Sequence, residues 1–239
     1  MRVLSFSEKG CIRKNNEDSF LVLPDHGIFA VADGMGGHRA GEVASSTALR
    51  ELEKLAPQLK GLSDQDLEGW LVESFTQANR VVYKSSTTEP QNAGMGTTLT
   101  ALLIRDTRAL IAHAGDSRAY LWRQEELTPL TKDHSLVGEL VRLGQISLEE
   151  AEKHPQRHVL MRAVGADQEI EVDCQAISLR SEDVFLLCTD GFSNMISDEE
   201  LADEFSESGS WEERLERLRQ LILERGAPDN FTALCCIME

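Results

Sequence analysis

The 239 residues fit one large domain or two small ones, and no break in composition favours two. Acidic residues outnumber basic ones by 41 to 24, and a formal charge of −17 excludes nucleic acid and anionic membrane as expected partners. No apolar run reaches membrane-spanning length and MRVLSFSEKG carries no export signal. The 5 cysteines lack CxxC spacing, so reduced thiols in a cytoplasmic protein are expected.

In chain order, apolar runs predict strands over 20–23 and 28–32. A helix follows from Ala40, with Val43, Ala44, Thr47, Ala48, Leu52 and Leu55 at helical spacing and Pro57 marking its end. Ser63 with Asp66 resembles a capping box ahead of the stripe Leu67, Trp70, Leu71, Phe75, Ala78 and Val82. Strands are predicted over 98–104, 109–114 and 119–122. The polar, irregular segment 135–163 then reads as an excursion with short helices of its own. A strand over 184–188 precedes two helix-start signals, Ser197 with Glu200 and Ser210 with Glu213. The last helix runs through Leu215, Leu218 and Ile222 to Gly226. In the final strand, 232–237, Cys235 and Cys236 should point to opposite faces. Strands arrive in clusters and helices in pairs, which favours an α+β fold of packed antiparallel sheets flanked by helix pairs.

The strand ends carry the chemistry. Asp33 follows one predicted strand, Asp116 another after Gly115, and Asp190 a third after Thr189, while Asp229 precedes the last. One Asp-Gly alone is more often a turn. Here Asp33-Gly34 leads into a helix, and three glycines fall within the six residues from Asp33 to His38. Four carboxylates at one sheet edge need positive charge between them, and Mg²⁺ or Mn²⁺ with oxygen ligands suits them. The segment Arg13-Lys14-Asn15-Asn16-Glu17-Asp18 adds two acids and a guanidinium whose fork matches phosphate oxygens.

Arg13…Asn16-Glu17-Asp18, Asp33-Gly34-Met35-Gly36-Gly37-His38, Gly96-Thr97-Thr98, Ala114-Gly115-Asp116-Ser117-Arg118, Asp133-His134-Ser135, Thr189-Asp190-Gly191 and Asp229-Asn230-Phe231-Thr232 stand in the order seen in type 2C (PPM) metal-dependent protein serine/threonine phosphatases. The resemblance, closest to the bacterial branch, spans residues 13–232. It implies one catalytic domain over 1–239: a central sandwich of two antiparallel β-sheets, a helix pair on each side, and a variable flap about 135–163. It further implies that Asp33 bridges two Mn²⁺ or Mg²⁺ ions, that Asp190 and Asp229 complete one, and that the Gly34 carbonyl serves the other. Glu17 and Asp18 would act on the second ion's side, directly or through its waters, Asp116 with Asp190 would hold a weaker third ion, and Arg13 would grip the phosphate. The implied substrates are phosphoserine and phosphothreonine proteins, with a cognate Ser/Thr kinase as counterpart and a monomeric enzyme.

Two positions depart from the family pattern. Met35 stands where animal members carry a histidine proposed as general acid, and a thioether cannot donate a proton. Asn194 replaces an acid expected to serve the third ion. His38 is not the aligned position but is weighed as a proton donor. His113, inside an apolar run, reads as a hydrogen-bonded core residue, and Trp70, Trp122 and Trp211 as packing residues. A phosphatase for a regulatory partner-switching protein and a silent metal-binding scaffold are the rival readings. A nucleotide-binding loop is excluded because the glycine run lacks the Gly-Lys-Ser/Thr ending.

Overall fold

The computed structural model describes residues 1–37 and 40–239. Strands β1 (Arg2–Glu8), β2 (Asp18–Leu23) and β3 (Ile28–Met35) precede helices α1 (Ala40–Leu55) and α2 (Leu67–Thr88). Strands β4 (Gly96–Thr97), β5 (Leu99–Arg105), β6 (Arg108–Ala114), β7 (Arg118–Arg123) and β8 (Glu126–Pro129) follow. Short helices α3 (Leu136–Arg142) and α4 (Leu148–Glu152) occupy the excursion. The chain closes with β9 (Asp173–Ser178), β10 (Val184–Cys188), α5 (Asp190–Ser193), α6 (Asp198–Ser206), α7 (Trp211–Glu224) and β11 (Phe231–Ile237).

The strands form two antiparallel sheets, ordered β1-β11-β10-β7-β8 and β2-β3-β5-β6-β9, with β4 paired to β3. Phe29, Val31, Leu102, Ile111, Phe185, Leu187, Leu234 and Cys236 fill the space between the sheets. The outer face of the β3 sheet packs on α1 and α2 through Leu52, Leu71, Phe75 and Val82. The outer face of the β11 sheet packs on α6 and α7 through Phe205, Leu215, Leu218 and Ile222. Helix pair, sheet, sheet, helix pair is the expected layering. Cys235 faces the helices and Cys236 the opposite sheet, so the central strands are covered on both faces and read as continuous apolar runs.

Capping boxes are present at Ser197–Glu200 and Ser210–Glu213, as expected, and also at Ser147–Glu150. The Ser63–Asp66 signal is corrected. Asp66 is itself the N-cap of α2, in helical backbone geometry, and the Ser63 hydroxyl donates to its carboxylate rather than capping a backbone N–H. Strands β1, β4, β8 and β9 were not expected. β3 also runs past Ala32 to Met35, because Gly34 and Met35 pair with Thr97 and Gly96, so Asp33 lies within the strand rather than after it.

Candidate active site

Antiparallel order brings the start of β2, the end of β3, the ends of β6 and β10 and the start of β11 to one edge of the sandwich. Asp18 and Asp33 are direct cross-strand partners there, an arrangement that like charges disfavour. Asp116 follows β6, Asp190 opens α5, and Asp229 stands two residues before β11. Burial pushes the Asp33 carboxyl well above its ordinary range, and Asp18, Asp190 and Asp116 reinforce the shift; Asp33 also shares a hydrogen bond with Asp190. Asp190 is raised by burial and by Asp229, against that hydrogen bond and the positive influence of His158 and Arg13. Burial takes Asp116 up to about 8, with Asp190 and Asp133 adding to it. Asp18 rises to about 7 through burial, opposed by hydroxyls of Thr189 and Thr232. Glu17 is raised by burial and lowered by Arg13. All five are held above their solution values because negative charge is concentrated where water is scarce.

The backbone around these acids is fixed. Asp33 N donates to Thr98 Oγ1 at 2.8 Å, while its carbonyl accepts from Thr98 N and Thr97 Oγ1, each at 2.8 Å. Asn230 is 5% exposed and accepts from Glu17 N at 2.9 Å. Its amide donates to the carbonyls of Lys9 at 2.8 Å and Asn15 at 2.9 Å, tying the Arg13 loop to the Asp229 turn. Gly41, in the first turn of α1, allows a close approach: a Cβ there would lie 2.7 Å from both the Gly34 carbonyl oxygen and Glu17 Oε2. Two oxygens thus converge where a side chain would otherwise stand.

These residues fit divalent cations by donor chemistry. All are hard oxygens, and Asp18 Oδ1 is buried without any hydrogen-bond partner. Among the described residues, no three acid, histidine or cysteine side chains form a ready-made ion cage; the carboxyls instead crowd one another, Asp33 against Asp190. Arg13 Nη2 sits 2.6 Å from Asp229 Oδ2, at the mouth of the site.

Every acid singled out in the sequence therefore converges at this edge, with Gly34 and Arg13 beside them. Asn194 donates to Asp190 Oδ2 at 3.2 Å, so an amide neutralises a lone pair where an acid was expected. His113 is a core residue as expected, buried between Thr100 Oγ1 and the Lys132 carbonyl, and burial lowers it to about 4. His38 lies outside the described residues. Sequence reading missed Gly41, and it placed Asn230, Thr189 and Thr232 within motifs without giving them a role. A glycine in the first turn of an otherwise good helix was the one available signal for Gly41.

The layered sandwich is also the fold of solved bacterial serine/threonine phosphatases. The structure of the Mycobacterium tuberculosis phosphatase PstP/Ppp superposes with a TM-score of 0.89 at 40% identity, covering 100% of this chain and 98% of that one. A structure of the PstP catalytic domain in complex with two manganese ions gives a TM-score of 0.87 at 37% identity, covering 100% and 98%. The serine/threonine phosphatase stp of Listeria welshimeri is 38% identical over 232 residues, 95% of this chain and 92% of the relative. The protein phosphatase 2C profile matches residues 2–145, and the chain belongs to that family.

Proposed function

We propose that this chain is a protein serine/threonine phosphatase that hydrolyses phosphoserine and phosphothreonine with Mn²⁺ or Mg²⁺ at the acid edge, opposing a Ser/Thr kinase. The observation that carries the reading is the cross-strand pair of buried Asp18 and half-buried Asp33, flanked by Asp190, Asp229 and Asp116. Asp33 would be shared by two cations, with Asp190 and Asp229 on one and the Gly34 carbonyl on the other, where Glu17 and Asp18 would act directly or through its waters. Asp116 would serve a third with Asp190. The bound pair supplies a water acidic enough to attack phosphorus in line near neutral pH. The chain's own residues hold and orient. Thr97 and Thr98 fix Asp33, and Asn230 fixes the loop that presents Arg13 to the phosphoryl oxygens. The whole chain would act as one catalytic domain with its flap about 135–163, as a monomer in the cytoplasm. Among the described residues no helix is long and apolar enough to cross a membrane.

The test is hydrolysis of a phosphothreonine peptide with Mn²⁺ and in EDTA. Activity should depend on the cation, and full turnover in chelator with no metal bound would refute the reading. Arg13→Ala should lower kcat/KM by about 10–100-fold, mostly through KM, because a charge-assisted contact to phosphate is lost. Arg13→Lys should recover only part, since the fork is gone. Unchanged kinetics in Arg13→Ala would leave the guanidinium as a partner of Asp229 alone.

A further inference from the structure

Two hydrogen-bond chains end on the same oxygen of Asp18, and each begins at a group that can only donate. In the first, Asn16 Oδ1 accepts from Asp18 N at 3.2 Å, so the Asn16 amide nitrogen must face Ser7 Oγ, 2.8 Å away. Ser7 Oγ therefore accepts from Asn16 and lies 2.8 Å from Thr232 Oγ1, whose single proton has Ser7 Oγ and the Asp18 carboxylate as acceptors, and the carboxylate, which only accepts, is the stronger. The Thr232 proton therefore goes to Asp18 Oδ2 at 2.7 Å. In the second, the backbone N–H of Thr232 donates to Thr189 Oγ1 at 2.9 Å, and the Thr189 proton goes to Asp18 Oδ2 at 2.7 Å. Thr189 and Thr232 are fully buried, so no water competes for either proton. Oδ2 is thus occupied by two donors of fixed direction, and Oδ1 is left with none.

We propose that Thr189 and Thr232 are positioning residues that commit Asp18 Oδ2 to two hydroxyl donors and thereby reserve Oδ1 for a cation. The inference rests on the metal-dependent reading above and adds to it which oxygen binds and what orients it. Without the hydroxyls, the carboxylate could rotate toward the backbone and present neither oxygen in a fixed place. Partners behind a metal ligand typically change metal affinity by 10–100-fold when removed.

The measurement is Mn²⁺ affinity and stoichiometry by titration calorimetry on the full chain, with folding checked by melting in chelator. Thr189→Val and Thr232→Val keep the side-chain shape and should each weaken binding about tenfold or more. Thr189→Ser and Thr232→Ser keep the donor and should restore most of the affinity. Wild-type binding by folded valine variants, or serine variants as weak as the valines, would overturn the proposal. Failure of the wild-type chain to bind Mn²⁺ would instead remove the reading on which it rests. Neutron diffraction on the unaltered protein tests the same point without a variant. Deuterons on Thr189 and Thr232 directed at Asp18 Oδ2 are expected, and a Thr232 deuteron directed at Ser7 would refute the scheme.

Discussion

Asp33→Asn should abolish phosphatase activity and, in chelator at pH 8, make the protein melt at a higher temperature than the wild type. Asp33 is half-buried in β3 opposite Asp18 and in hydrogen-bonding contact with Asp190. An asparagine there keeps the shape, removes one of the crowded charges, and offers Asp190 an amide donor in place of a shared proton. An acid whose folded pKa is raised contributes stability that is present below its unfolded pKa and is lost as pH rises toward the folded value. The relief should therefore be larger at pH 8 than at pH 5. Removing such a charge is worth about 1–2 kcal/mol, roughly 2–8 °C at this chain length. The same change takes away the carboxylate that two cations would share, and activity should fall by about a thousandfold or more. Thermal melts and phosphopeptide kinetics on one preparation read both effects. A folded Asp33→Asn enzyme with near-normal turnover would place the chemistry elsewhere, and a lower melting temperature in chelator would show that Asp33 is not a source of strain.

Much of the fold and the acid set was legible because the central strands are covered on both faces. Ile28–Met35, Val184–Cys188 and Phe231–Ile237 therefore carry apolar runs that no loop would keep. β1, β8 and β9 were not legible for the converse reason. Each pairs on one side only, β1 with β11, β8 with β7 and β9 with β6, and leaves many positions exposed or half-exposed, so polar residues break the pattern. The aspartates stood out because they sit beside glycine or asparagine at the ends of readable strands. What orients them did not stand out, since hydroxyls find partners that are distant in sequence. Thr189 lies 171 residues from Asp18, and Asn230 lies 221 from Lys9. The extension of β3 past Asp33 was hidden because it depends on the two-residue strand Gly96–Thr97, too short to leave a period. Arg13, read as a phosphate clamp, is also paired with Asp229, so its fork and a cation would meet on the same carboxylate.

That crowding should make Mn²⁺ affinity steeply dependent on pH. Asp18 is held at about 7, Asp116 at about 8, and Asp33 well above its ordinary range, each chiefly by burial. A cation binds carboxylates only after their protons leave, so where one proton must be displaced the affinity should rise about tenfold per pH unit below the folded pKa. The chain without added cation loses stability over the same interval, because these acids are charged in the unfolded state and resist charging in the fold. Mn²⁺ should reverse that loss by supplying the opposing charge. The melting-temperature gain on adding a fixed Mn²⁺ concentration should therefore grow from pH 6 to pH 8. Calorimetry in buffers of different ionisation enthalpy should detect proton release on binding at pH 6.5. Mn²⁺ affinity that stays constant across pH 6 to 8, with no proton released, would mean that the cation binds away from Asp18, Asp33 and Asp116.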